Sequence, residues 1–302
     1  MPTVAPTLLS EIWSIIQKKP DWSTSSFSLE KAYFCSLFSE LAYEHVPAYE
    51  LADRSRVKVV PCLAYQEIVR QGIATDVGVT LRGSEFVEFF VIERHYVIVV
   101  GVRTPDVVIV AIRGTKYLYD WKVNLNAMRH PLPHFGSTLH VHYGFFRAIA
   151  SCFDALTEKL RGYVEDDVPI YVTGHSLGGA MAAILYAVWG MPRSYWMGRD
   201  ATPIDSGYVF GMPKYGDLNT VTWLPIPHHI YNTEDIVPSV PPDWLGFAPC
   251  FTEYEATDKA IKALESRQGS NFVAWLTSLL TGSGIRGHNI ELYVSRIRAQ
   301  LP

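Results

Sequence analysis

The chain is short of charge. Asp, Glu, Lys and Arg make up 19% of its 302 residues, against roughly 25% in an average soluble domain. Acids outnumber bases, 30 to 26, for a formal net charge of −4. A protein that grips phosphate backbones needs a basic excess or stripe, so no nucleic-acid partner is expected. Cysteine is scarce as well. Cys35, Cys62, Cys152 and Cys250 form no C-x-x-C and read as buried free thiols, although an even count leaves disulfides open. There is no H-E-x-x-H. His130, His134, His140 and His142 lie close in sequence, with His140 and His142 on one face of a strand, but no carboxylate stands at ligand spacing, so no metal is expected. No G-x-x-x-x-G-K-[ST] loop occurs, and no cofactor is expected. Met1 to Ser10 lacks a basic n-region and Glu11 follows, so no signal peptide is expected. The chain is therefore read as soluble, either intracellular or a mature secreted form.

Apolar residues are abundant: 48% are hydrophobic and 13% aromatic. That much apolar surface offsets chain entropy and excludes global disorder. One run stands out. Residues 168–192 carry no Asp, Glu, Lys or Arg, and by length alone they match a membrane span.

The patterning points elsewhere. Residues 1–80 read as a helical N-terminal cap on a single domain, 1–302. Within them Ser28 precedes a helix whose apolar positions Ala32, Cys35, Leu37, Phe38, Leu41 and Ala42 recur at helical spacing. Residues 95–103 and 107–112 are β-branched runs joined by the turn Thr104-Pro105-Asp106, a hairpin. Alternation follows: helix 145–163, strand 169–173, helix 177–189, strands 207–210 and 226–231, and helix 288–298 with Ile290, Tyr293, Val294 and Ile297 on one face. This is an α/β pattern, a mostly parallel central sheet with an antiparallel hairpin and helices on both faces. The uncharged run becomes a buried strand, a turn and a buried helix of about a dozen residues, too short to span a bilayer.

That turn reads Gly174-His175-Ser176-Leu177-Gly178, a G-x-S-x-G between strand and helix. A serine on so sharp a turn needs small neighbours, and the helix N-terminus favours developing negative charge. A nucleophilic serine needs a base, and the base an orienting acid, in the order Ser, Asp or Glu, His. His228 and His229 precede Asp235 and read as structural. Asp217 lies in a loop after a strand. Asp235 follows the next strand, and His288 is the sole histidine after it. Order and position favour Ser176, Asp235 and His288. The oxyanion would bind the backbone N–H of Leu177 and that of Thr115, in the Ile112-Arg113-Gly114-Thr115 loop ending a strong β-run.

These motifs, with Asp120-Trp121, His142-Tyr-Gly-Phe145, Phe210-Gly-Met-Pro-Lys-Tyr-Gly-Asp217 and Asn232-Thr-Glu-Asp-Ile-Val-Pro238, resemble the class 3, fungal-type triacylglycerol lipases from about Phe27 onward. The resemblance implies an α/β-hydrolase fold and metal-free ester hydrolysis by the same triad, with Thr115 and Leu177 as oxyanion donors. It also implies a lid over about 116–128, with Tyr117, Leu118 and Trp121 beside the substrate and His142 nearby. The implied partner is a lipid or small ester, at a lipid–water interface. Soluble-ester, feruloyl-ester and phospholipase A1 activities share the motifs, and a non-catalytic hydrolase-fold binding protein is the reading from another class. The apolar stretch 272–280, with Trp275 and Leu279, is either a helix on the core or a wall over the acyl site.

Overall fold

A computed structural model of the chain describes residues 6–44, 58–61, 88–94, 97–114, 128–132, 138–164, 168–189, 204–264 and 287–302. In chain order these form α1 (Pro6–Lys18), α2 (Leu29–Glu44), β1 (Lys58–Pro61), β2 (Glu88–Arg94), β3 (Val97–Arg103), β4 (Val108–Ile112), β5 (Arg129–Pro131) and β6 (His140–His142). There follow α3 (Tyr143–Ala150), α4 (Phe153–Val164), β7 (Ile170–His175), α5 (Leu177–Trp189), β8 (Ser206–Phe210), α6 (Leu218–Trp223), β9 (His228–Asn232), β10 (Glu253–Ala256), β11 (Ile261–Ala263) and α7 (Ile290–Arg298).

Among the described residues one sheet runs in the order β1-β2-β3-β4-β7-β8-β9-β10-β11. Its centre, β4 to β10, is parallel. β1, β2 and β3 lie antiparallel on one side, and β11 antiparallel on the other. The expected hairpin is β3–β4, closed by the Thr104 hydroxyl, which accepts the Asp106 and Val107 N–H groups.

Alternate side chains divide the core into two layers. Val108, Val110 and Ile112 of β4 face one way, with Val99, Ile170, Val172 and Val209, against Phe146, Ile149, Leu156, Ile184 and Val188 of α3, α4 and α5. Ile109 and Ala111 face the other way, with Val100, Val102, Tyr171, Tyr208, Phe210 and Ile230. They meet Phe34, Phe38 and Leu41 of α2 and Tyr293, Val294 and Ile297 of α7. Strands covered on both faces have no place for charge, so the uncharged run resolves into β7 and α5. No helix of the described residues is long and apolar enough to cross a membrane.

Three sequence expectations change. The reading of 1–80 as helical is corrected at 58–61, which pairs with β2; a four-residue strand is too brief to show a periodicity. α2 itself is no peripheral cap, because it lies directly on the sheet: Ser39 Oγ and Thr173 Oγ1 are 2.9 Å apart, and Thr173 Oγ1 also donates to Cys35 O. Its start is as expected, with Ser28 Oγ accepting the Lys31 N–H at 3.5 Å. The single helix 145–163 is two helices, broken where Ser151 turns its hydroxyl onto Ala148 O at 2.6 Å and competes with the helical ladder. Cys35, Cys152 and Cys250 are buried free thiols; Cys62 lies outside the described residues.

Candidate active site

β7 delivers Ser176 to the C-terminal edge of the parallel strands. Its N–H donates to Phe210 O at 2.9 Å, pinning the turn to β8, and Ser176 adopts φ +59°. A non-glycine residue there is strained, and the surroundings must over-determine it. The glycines permit the approach. A methyl group on Gly174 would lie 2.5 Å from Gly178 C and O, and one on Gly178 would collide with Ile112 O and lie 2.7 Å from Gly114 N.

His288 and Asp235 come to the same point from the far end of the chain. Asp235 follows β9, and His288 sits just before α7. His288 Nε2 lies 2.8 Å from Ser176 Oγ, and His288 Nδ1 lies 2.6 Å from Asp235 Oδ2. A carboxylate only accepts, so Nδ1 carries the proton and Nε2 is left to accept from the serine hydroxyl. Asp235 Oδ1 accepts the Val237 N–H at 2.9 Å, and Oδ2 accepts a second proton from Tyr293 Oη at 2.6 Å. All three groups are buried. The connecting backbone is tied as well, since Asn232 Nδ2 donates to Gly287 O at 2.7 Å.

The other expected residues distribute unevenly. Leu177 begins α5, next to Ser176. Thr115, Tyr117, Leu118, Trp121 and Trp275 lie outside the described residues, as does the stretch 272–280. Gly114, the last described residue before Thr115, packs on the turn: a methyl group on it would lie 3.2 Å from Ser176 Cβ. His142, expected near the substrate, is instead wholly buried. It stacks on Phe145 with centroids 3.8 Å apart, and its Nδ1 accepts the Phe145 N–H at the start of α3. Asp217 caps α6 through Thr220 N and holds His140 Nδ1 at 2.8 Å. Burial pushes the Asp217 carboxyl up, but its hydrogen bonds to Thr220 and His140 outweigh that and leave it below the usual carboxylate range. His229 accepts the Met212 N–H and donates to Glu253, a structural pair as expected. Among the described residues no group of three or more His, Cys, Asp or Glu is placed to hold a metal ion. Tyr293 reads in the sequence only as a helix-face residue. Its contact with Asp235 has no sequence signal, because 58 residues separate them.

Burial holds the His142 imidazole down, to about 4. The unfolded chain, with an ordinary value near 6.5, then takes up the proton first as pH falls, so stability is full above about pH 6.5 and declines toward pH 4. His142 alone removes about 2 kcal/mol by pH 5. Urea unfolding at pH 8 and pH 5 measures the loss, and His142→Asn, which retains a capping side chain, reduces it by that amount.

Comparison with known proteins follows the same lines. Residues 109–244, the segment holding β4, the Ser176 turn and Asp235, match the family model described as lipase (class 3). The chain belongs to the class 3 lipase family. It is similar to a lipase of Rhizomucor miehei, 29% identical over 196 residues, covering 61% of this chain and 53% of that protein. It is also similar to the secreted mono- and diacylglycerol lipase 1 of Fusarium solani, 27% identical over 154 residues, covering 49% and 43%. The chain thus spans about half the length of these curated relatives. Among solved structures, a mutant form of MDLA from Penicillium cyclopium aligns with a TM-score of 0.56 at 16% identity, covering 81% of this chain and 89% of that one. Rhizomucor miehei triacylglyceride lipase aligns with a TM-score of 0.50 at 17% identity, covering 79% and 100%. These structural likenesses establish the α/β-hydrolase fold for this class 3 lipase.

Proposed function

We propose that this chain hydrolyses carboxylic esters of lipids, triacylglycerols foremost, through an acyl-enzyme formed on Ser176. The observation that carries the reading is the unbroken pair of hydrogen bonds from Ser176 through His288 to Asp235, at 2.8 and 2.6 Å. In this reading His288 takes the Ser176 proton as Oγ attacks the ester carbonyl. Asp235 keeps His288 in the required tautomer and stabilises the imidazolium. The Leu177 and Thr115 N–H groups bind the oxyanion as the carbonyl electrons move onto oxygen. Collapse of the tetrahedral intermediate breaks the bond from the acyl carbon to the alkoxy oxygen, and His288 gives its proton to the leaving alcohol. Water, deprotonated by His288, then attacks the acyl carbon and releases the acid and free Ser176. Every proton and electron pair is accounted for by these side chains and water, so the reading calls for no metal or cofactor.

In this reading the whole chain, 1–302, works as one hydrolase domain. Its partner is a lipid or small ester at a lipid–water interface, with Tyr117, Leu118, Trp121 and Trp275 bordering the substrate and no nucleic acid involved. Similarity to a relative named as secreted supports action outside the cell. The test is a panel of p-nitrophenyl esters of graded acyl length together with emulsified triacylglycerol. The expected result is hydrolysis extending to long acyl chains, with a rise in rate above the solubility limit of the substrate. Hydrolysis confined to short soluble esters would replace lipase with esterase, and phospholipid cleavage in place of triacylglycerol cleavage would replace it with phospholipase A1.

A further inference from the structure

The triad is held by elements that follow it in the sheet, but one side chain reaches it from the N-terminal part of the chain. Tyr43 lies in the last turn of α2. Its Oη is 3.0 Å from His175 Nδ1 and 3.4 Å from His175 O. The same oxygen lies hard against Gly114: a methyl group on Gly114 would collide with it, while also coming within 2.6 Å of His175 O. Tyr43 therefore touches both segments that border the nucleophile, the end of β4 leading into Thr115 and the residue immediately before Ser176. His175 passes the contact on, because its ring packs on that of His288, centroids 4.5 Å apart at 35°.

We infer that Tyr43 is a positioning residue for the reaction, bracketing Gly114 and His175 so that the oxyanion loop and the His288 ring are held in register with Ser176. The inference rests on the hydrolase reading above and deepens it. The chemistry of the bracket is specific. Burial raises the Tyr43 phenol well above its ordinary range, so the hydroxyl stays protonated and donates. His175 Nδ1 accepts that proton, which fixes His175 as the neutral Nε2–H tautomer. Burial, and next the neighbouring His288, hold His175 well below the ordinary histidine value. An uncharged ring then flanks His288 at the moment it becomes an imidazolium, where a second positive charge would oppose the transfer.

A control separates this role from mere docking of α2. Ser39 lies one turn earlier on the same helix and is bonded to Thr173 of β7, 2.9 Å away and buried, but it does not touch the turn. The experiment compares wild type, Tyr43→Phe and Ser39→Ala on a soluble p-nitrophenyl ester. For Tyr43→Phe the expected result is a kcat lowered about 30-fold with KM within about twofold, since misplacement of an oxyanion donor acts on the transition state rather than on substrate binding. Ser39→Ala keeps kcat within about twofold. A Tyr43→Phe kcat within about threefold of wild type overturns the inference, as does an equal loss in Ser39→Ala or a loss confined to KM. Ring ¹⁵N shifts of His175 in the wild type give a reading independent of any variant. The neutral Nε2–H tautomer from about pH 8 to pH 5 is expected, and an Nδ1–H or charged ring overturns the bracket. A wild type that hydrolyses no ester contradicts the hydrolase reading itself, a result distinct from an active enzyme indifferent to Tyr43.

Discussion

Asparagine in place of Asp235 lowers kcat for ester hydrolysis about 10⁴-fold, with the fold intact. The size of the effect comes from the donors around the carboxylate. Oδ2 accepts from His288 Nδ1 and from Tyr293 Oη, and Oδ1 accepts from Val237 N. These donors converge on a group that, as a carboxylate, accepts at every position. An amide offers one oxygen and one NH₂. With the NH₂ at the Oδ1 position it opposes the Val237 N–H. At the Oδ2 position the Tyr293 hydroxyl can rotate to accept, but His288 must then move its proton from Nδ1 to Nε2. That proton would point at Ser176 Oγ, and the base would be lost while its place is kept. Steady-state kinetics on a p-nitrophenyl ester, paired with a urea unfolding midpoint, checks this. A rate within about tenfold of wild type would mean that Asp235 does not set the histidine tautomer.

Alanine at Gly178 costs about 3–5 kcal/mol of stability and removes activity with it. The added methyl would meet Ile112 O, Gly114 N and Arg113 C, all backbone, so no side chain can turn away to admit it. Either α5 withdraws from β4 or the exit of β4 shifts, and both movements separate the Ser176 turn from the loop expected to supply an oxyanion donor. Gly179 gives the comparison. Its added methyl would meet a side-chain carbon, Met212 Cβ, at 2.9 Å and Gly174 O at 3.0 Å, a milder crowding. Gly179→Ala is therefore the less damaging of the two in a urea titration, and Gly178→Ala with wild-type stability would show that the close approach of turn and strand is not required.

The parts of this site that are legible in the sequence are those whose chemistry constrains neighbours along the chain. Gly174-His175-Ser176-Leu177-Gly178 announces a turn because the strained serine needs small flanking residues, and β7 and α5 bracket it as the uncharged run suggests. Asp235 and His288 are reachable from chain order and from the strand and helix beside each. The edges of the sheet are not. β10, Glu253-Tyr-Glu-Ala, carries two acids, and β11 is three residues long, so neither presents an apolar run; pairing to β9 and to each other makes them strands. Ser151, one polar residue in a helical periodicity, does not reveal that its hydroxyl ends the helix. Tyr293 reads correctly as a helix-face residue, and Tyr43 falls at the end of the helix expected after Ser28. Their hydroxyls, however, find Asp235 and His175 across 58 and 132 residues, distances over which local pattern carries no information. His142 misleads for the opposite reason. Its motif lies near the site in sequence, while stacking on Phe145 and the helix cap take the ring into the core.

The claim that Ser176 is an activated nucleophile has a direct test in fluorophosphonate labelling followed by mass analysis of the modified peptide. A serine without a base reacts slowly, and one hydrogen-bonded to a correctly oriented imidazole reacts quickly, whatever ester it has evolved to cleave. The account predicts stoichiometric modification of the wild type at Ser176, and a rate at least about 10³-fold lower in His288→Ala. Absence of label, label on another residue, or an undiminished rate in His288→Ala would contradict it.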